Sequence, residues 1–356
     1  MWRRQRDVRV QSPEVAKQMR KFFRKRGITR LDPESVARKY GMFFTRGDGL
    51  WGPWRPPGGG ERYSVHVSSQ QREDLAAVTK RVTLISDTLL MSHAPGAGLH
   101  EIGTKNLRAI SDVDSDENLT SITYGMHCPD LASLGRWILD AEGLLRMGLT
   151  AYLPTISTLS IVDSEWREPP HAQSSAVDYL LRDGRLVEVS QTRPEMNRMV
   201  RPIAAMEIPF IEGVSLGEFS KITEGEFNSF RGFRTFLRRE FNALDEAVDA
   251  EQMDRALRDV GFEIEEGIRE LESTMRVLSR QRAFATTGAV VAGVTVVLAA
   301  VYGAVFKEYV TGLVGGAGGG AVGWAQAMLA DKSKGPVEDN KWYYVWCLQR
   351  QSERRF

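Results

Sequence analysis

The residues of this 356-residue chain whose types could do chemistry are five histidines and two cysteines, together with one acidic run. The histidines are His66, His93, His100, His127 and His171, and the cysteines are Cys128 and Cys347. A zinc site draws on His or Cys at short helical or turn spacing, and no two of these histidines stand three or four apart. His127 and Cys128 are chain neighbours, but a base and a thiolate must be close in space, which adjacency in sequence does not provide. Asp87 and His93 lack a third partner in the sequence. The acidic run is Asp112, Asp114, Asp116 and Asn118, which alternate like the start of a calcium loop. Glu117 stands where such a loop needs glycine, and Thr123 where it needs the bidentate glutamate, so the run reads as a polar loop. Gly315 to Gly323 holds glycine spacings of the phosphate-loop kind, but no Gly-Lys-Ser/Thr follows. On these grounds no catalytic residue, metal ligand or cofactor is assigned. The reading leans away from an enzyme and identifies no small-molecule ligand.

Charge is more informative than nucleophiles. The formal net charge is only +1, yet residues 1–30 hold eleven Lys and Arg against Asp7 and Glu14. Within that stretch Arg20, Lys21, Arg24, Lys25 and Arg26 are the candidates for contact with an anionic surface. Anionic lipid is the first occupant considered and nucleic acid the alternative. Charge runs often do no more than solvate a helix face. Asp32 to Met42 resembles the first helix and turn of a helix-turn-helix. Gly47, Gly49, Gly52 and Pro53 then fall where a recognition helix would be.

Hydrophobic patterning supplies the third feature. Ala283 to Phe306 runs 24 residues without a charge, and after Lys307-Glu308 the stretch Tyr309 to Ala330 adds 22 more. A membrane-spanning helix needs about 20 mostly apolar residues, so the lengths suit two crossings. Gly312, Gly316 and Gly320 form one row at fourfold spacing, and Gly315, Gly319 and Gly323 a second. Ala285, Ala289 and Gly293 offer a matching small-residue face. Such rows let helix backbones approach closely. Arg280, Arg282, Lys332 and Lys334 flank the pair on one side, which the positive-inside rule reads as cytoplasmic. The expectation is a cell-membrane protein with both termini cytoplasmic, a lipid bilayer as partner, and a hairpin able to assemble with a second copy or perturb the bilayer. A soluble regulatory or nucleic-acid-binding protein is the alternative.

The elements that would position these residues follow from caps and periodicity. Ser12-Pro13-Glu14 starts a helix with Val15, Met19 and Phe22 inward and Gly27 as its stop. Asp32-Pro33-Glu34 starts a second, with Val36 and Tyr40 inward and a stop at Gly41. Tyr63, Val65 and Val67 alternate as a short strand does, while Val82 to Met91 suits strand or helix equally. Asp130 caps a helix that buries Leu131, Leu134, Ile138, Ala141 and Leu145 and ends at Gly148. Asp183-Gly184 marks a hairpin turn. Ser215 and Glu218 form a capping box. Phe230, Phe233, Leu237 and Phe241 make a helical stripe, read as core. A later stripe contains Val260, Ile264, Ile268 and Leu271, weakened by Gly261 and Gly267. The fold expected is mostly α with minor β. Residues 1–60 form a basic helical arm and linker, and 61–209 a mixed soluble domain. Residues 210–282 form an amphipathic helical pair, 283–330 the hydrophobic hairpin, and 331–356 a polar loop with an aromatic and basic tail. The aromatic residues at 342–346 are placed at a membrane interface.

Overall fold

The structure, a computed structural model, describes residues 10–24, 27–45, 63–70, 74–108, 119–162, 165–167, 177–189, 199–200, 203–204, 208–243, 255, 258–273 and 340–353. It opens with α1 (Pro13–Phe23), a 3-10 turn (Ile28–Arg30) and α2 (Pro33–Thr45). A parallel unit follows: β1 (Ser64–Ser69), α3 (Leu75–Thr83) and β2 (Thr88–His93). Next come β3 (Leu99–Arg108), β4 (Leu119–His127), α4 (Leu131–Asp140), α5 (Glu142–Met147) and β5 (Thr150–Tyr152). Then β6 (Ile156–Val162), β7 (Glu165–Arg167), β8 (Tyr179–Arg182) and β9 (Arg185–Glu188) complete the strands. The helical remainder is α6 (Pro209–Glu212), α7 (Leu216–Gly225), α8 (Phe227–Ala243), α9 (258–273) and α10 (Lys341–Glu353).

The strands build two sheets. One is five-stranded in the order β5-β2-β1-β8-β9, and the other is four-stranded in the order β3-β4-β6-β7. In the first, β1 pairs in parallel with β2 and β8, β2 pairs in parallel with β5, and only β9 runs antiparallel. The second is antiparallel throughout. It is threaded into the first, because β3 and β4 follow β2 and β6 follows β5. This corrects the expectation of a mostly α chain with minor β: the described part is mixed α/β. The partners of β1 explain the miss. Val67 pairs with Tyr179 across more than a hundred residues, and no local periodicity encodes such a pairing. Register also shows that the parallel sheet has two unlike faces. Val65, Val67, Ser69, Leu89, Met91, His93, Thr150 and Tyr152 share one, while Ser64, His66, Ser68, Thr88, Leu90, Ser92 and Ala151 share the other. Both are buried, so β1 and β2 show no alternation between inside and outside.

Helices close the apolar face. The Trp137 indole of α4 donates to Thr79 Oγ1 of α3 at 3.0 Å, and its ring lies 6.2 Å from that of Tyr152. The α1–α2 pair packs outside α4 and α5. A methyl group at Gly135 of α4 would overlap the Pro33 carbonyl at the start of α2, so that approach requires glycine. Several capping signals hold. The Asp130 carboxylate accepts from Ala132 and Ser133 N–H, the Ser215–Glu218 box is formed, and Asp183 and Gly184 take φ of 50° and 70° as a type I′ turn requires. Three boundaries differ from expectation. α1 ends at Phe23, and Gly27, expected as its stop, instead opens the 3-10 turn with φ of 86°. α2 continues through Gly41 to Thr45, where Gly41 lies against Ile102 and Met126. The helix after Asp130 breaks at Ala141 into α4 and α5.

The aromatic stripe of α7 and α8 is core, as its spacing implied: Phe219, Phe230, Phe233 and Phe241 are fully buried. The tail at 342–346 was expected at a membrane interface. Instead α10 buries Trp342, Tyr343, Tyr344 and Val345 against α8 and its neighbours. Tyr344 OH shares a 2.9 Å hydrogen bond with Thr223, and Trp342 lies on Gly267, where any side chain would collide with the indole. Among the described residues no helix is long and apolar enough to cross a membrane. The longest described helix, α8, has 17 residues and carries four arginines. The reading of the chain as a transmembrane protein is corrected accordingly. The hairpin at 283–330 itself, with Ala285, Ala289, Gly293, Gly312, Gly315, Gly316, Gly319, Gly320 and Gly323, lies outside the described residues.

Candidate functional site

Three histidines meet hydroxyl groups inside the protein. His66 Nε2 lies 2.9 Å from Ser92 Oγ, His93 Nδ1 lies 2.8 Å from Tyr152 OH, and His127 Nε2 lies 2.7 Å from Ser157 Oγ. The second and third pairs sit where the two sheets join, because β2 and β5 end there and β3, β4 and β6 begin or end there. A hydroxyl within reach of an imidazole is the first requirement for an activated nucleophile; a ring held in the right tautomer and able to take a proton is the second.

At the joint the hydrogen bonds form a closed circuit. Tyr152 OH is also 3.2 Å from the His127 carbonyl, Tyr40 OH donates to the Tyr152 carbonyl at 2.8 Å, and Thr155 Oγ1 donates to the His93 carbonyl at 2.8 Å. One phenolic proton cannot serve both neighbours of Tyr152. With Nδ1–H of a neutral His93 donating to the phenol oxygen, the phenolic proton is left for the His127 carbonyl and every group is satisfied. Burial holds His93 neutral by lowering its pKa to about 4, and it raises the Tyr152 and Tyr40 phenols well above their ordinary range. These groups neither give nor take protons near neutral pH.

His127 fails differently. Its Nδ1 is buried and has no hydrogen-bond partner among the described residues. An orphaned lone pair is cheaper than an orphaned N–H. That favours the tautomer in which Nε2–H donates to Ser157, the wrong direction for a general base. Among the described residues no carboxylate is hydrogen-bonded to the ring. Desolvation also lowers the His127 pKa. For His66, the Asp178 carboxylate accepts from the main-chain N–H at 2.8 Å, a bond that fixes backbone. Cys128 is fully buried, and burial, with Asp130 adding to it, pushes its thiol up to about 12, so it remains a protonated apolar filler. Asp87 and His93 occupy opposite ends of β2. Among the described residues no group of three His, Cys, Asp or Glu could hold a metal ion. His171 and the acidic run from Asp112 to Asn118 lie outside them.

A second buried set lies at the opposite end of the sheet. Asp87 accepts from Gln11 Nε2 and Arg238, both at 3.0 Å, with Arg234 at 3.8 Å. Arg238 Nε donates to the Ile85 carbonyl at 2.6 Å, and its guanidinium lies 4.3 Å over the Tyr63 ring. This cluster fastens α8 to the start of β2.

The open chemistry is on α1. Its inward residues Val15, Ala16, Met19 and Phe22 leave Lys17, Lys21 and Arg24 exposed, at intervals of four and three that align them on one helix face. Arg30 and Lys39 are exposed nearby. Among the described residues none of these five cations forms an ion pair. Neighbouring acids are occupied: Asp32 accepts from Ser35 N–H, which lowers its pKa, and Glu34 pairs with Arg38 at 2.7 Å. Lys21 Nζ stands 6.0 Å from the centre of the partly buried Phe43 ring. Arg20, by contrast, turns Nε to the Arg146 carbonyl at 3.0 Å and ties α1 to α5. The structure therefore places Lys21 and Arg24 on the exposed face and gives Arg20 an anchoring bond as well. Lys25 and Arg26 lie outside the described residues. Sequence reasoning passed over Lys17, although its distance of four from Lys21 was the signal. No protein-family model, curated protein or solved structure matches this chain.

Proposed function

We propose that this is a nucleic-acid-binding protein that docks phosphates on the exposed face of α1. The observation that carries the reading is the row Lys17, Lys21 and Arg24, solvent-facing and without an ion pair among the described residues. Cations near a helix C-terminus also complement the helix dipole, which accounts for one or two of them. It does not account for a row that begins in the first half of α1. Each phosphate neutralised releases condensed counterions, so such a face binds nucleic acid with strong salt dependence and little sequence preference.

The test is fluorescence anisotropy of the full chain with a labelled 20-nucleotide oligonucleotide. The expected plot of log affinity against log salt has a slope of about −2 to −3 for three phosphate contacts. The triple variant Lys17→Glu, Lys21→Glu and Arg24→Glu is expected to lose binding while melting as the parent does. Absence of binding at low salt would overturn the proposal. So would equal binding by the variant, or association with anionic vesicles and not with nucleic acid.

A further inference from the structure

Independently of any nucleic acid, we infer that the α1 face also receives a second copy of this chain, through an acidic row on the outer side of α9. Residues 258–273 carry six acids against two arginines. α9 buries Val260, Ile264, Ile268 and Leu271. That stripe turns Asp259, Glu263, Glu266 and Glu270 outward together, at steps of four, three and four, and all four are exposed. The row on α1 steps by four and three, from Lys17 to Lys21 to Arg24. Read forward from Asp259 or backward from Glu270, the α9 row repeats those steps with the opposite sign. Both helices rise about 1.5 Å per residue. Laid side by side in either direction, they bring three cations level with three carboxylates.

The row is not consumed within its own chain. Among the described residues Asp259 and Glu266 form no ion pair, Glu263 meets Lys341 at 3.4 Å, and Arg269 is turned to Glu265 at 3.4 Å. Phe262, three residues after Asp259 and four before Glu266, borders the row. It is 64% exposed, more than any other large hydrophobic side chain among the described residues. A phenyl ring among carboxylates gains nothing from water, whereas the stems and charged ends of Lys and Arg cover such a ring well. The two helices are also held apart in one chain, since Arg20 ties α1 to α5 and Trp342 of α10 lies on Gly267 of α9. The contact is therefore heterologous, α1 of one copy on α9 of the next. Exposed ion pairs are individually weak, so the assembly is reversible and salt-sensitive. A copy seated on α1 also excludes phosphates from it.

The experiment is sedimentation velocity of the full chain, stripped of nucleic acid, over a range of protein concentrations. The mean mass is expected to rise with concentration at about 0.05 M salt and to return to the monomer at about 1 M, where screening acts within about 3 Å. Lys17→Glu with Lys21→Glu and Arg24→Glu is expected to weaken association by about tenfold or more, the scale of a few exposed ion pairs. Asp259→Lys with Glu266→Lys, which spares Glu263 and its contact with Lys341, is expected to do the same. Mixing these two variants is expected to restore association, because the reversed rows face each other again. A chain that stays monomeric at low salt overturns the inference. So does association that high salt does not weaken, or a mixture no heavier than its components. Nucleic-acid binding by a monomeric chain removes this inference and leaves the proposed function standing. Salt-sensitive self-association without nucleic-acid binding does the reverse.

Discussion

The joint between the sheets holds imidazoles, phenols and hydroxyls, the outer face of α1 holds cations, and the two behave in opposite ways. At the joint His93, Tyr152 and the His127 carbonyl satisfy one another out of reach of water, and burial moves His93 away from neutral titration. On α1 the cations stand in solvent without a counter-charge among the described residues. Residue types that suggest chemistry in a list of letters are inert where the fold has closed a circuit around them. The groups with unspent interaction energy are those the fold left outside. Buried polar sets should therefore govern stability and not binding, and the α1 face the reverse.

The largest stability effect is expected at the buried charge cluster. Asp87→Ala leaves Arg234 and Arg238 without their shared carboxylate, and breaking such a pair costs about 3–5 kcal/mol. Urea titration would measure it, and a loss under 1 kcal/mol would show that the cluster is not what fastens α8 to β2. Acidification comes next. An unfolded histidine takes up its proton near pH 6.5 and the buried His93 only near 4, so between these values the unfolded chain holds the extra proton. Stability is then complete above about pH 6.5 and falls by roughly 3 kcal/mol as pH drops toward 4. Urea midpoints measured at intervals between pH 7.5 and 4.5 should follow that fall, with a shallower slope in His93→Gln. An unchanged slope in that variant would assign the acid sensitivity elsewhere. Tyr152→Phe should cost about 1–3 kcal/mol by stripping His93 Nδ1 and the His127 carbonyl of their shared hydroxyl. The smallest stability effect is expected on α1, where reversing Lys17, Lys21 and Arg24 should stay within about 1 kcal/mol, most of it the lost complement to the helix dipole. That same variant has the largest expected effect on nucleic-acid affinity. If it unfolds the chain, the contrast between the two regions collapses.

Much of the helical architecture was legible from short range. Pro13 and Glu14 at the start of α1, the Ser215–Glu218 box, the Asp130 cap and the Asp183-Gly184 turn each depend on residues within four positions of one another, and each formed where its sequence indicated. So did the phenylalanine stripe of α8, because a helix repeats its buried face every three to four residues. The basic excess before residue 30 was equally plain. The tertiary structure alone decided that β1 lies between β2 and β8, and that both faces of β1 and β2 are buried. It also decided that α2 continues past Gly41, which packs closely against Ile102 and Met126. Strand partners are chosen by segments a hundred residues away, and when both faces are covered the alternation that betrays a strand disappears. The candidate site divides the same way. Composition located the cations, while only packing against α4 and α5 determined which of them face water, and only the closure of β2, β4 and β5 around one phenol silenced His93.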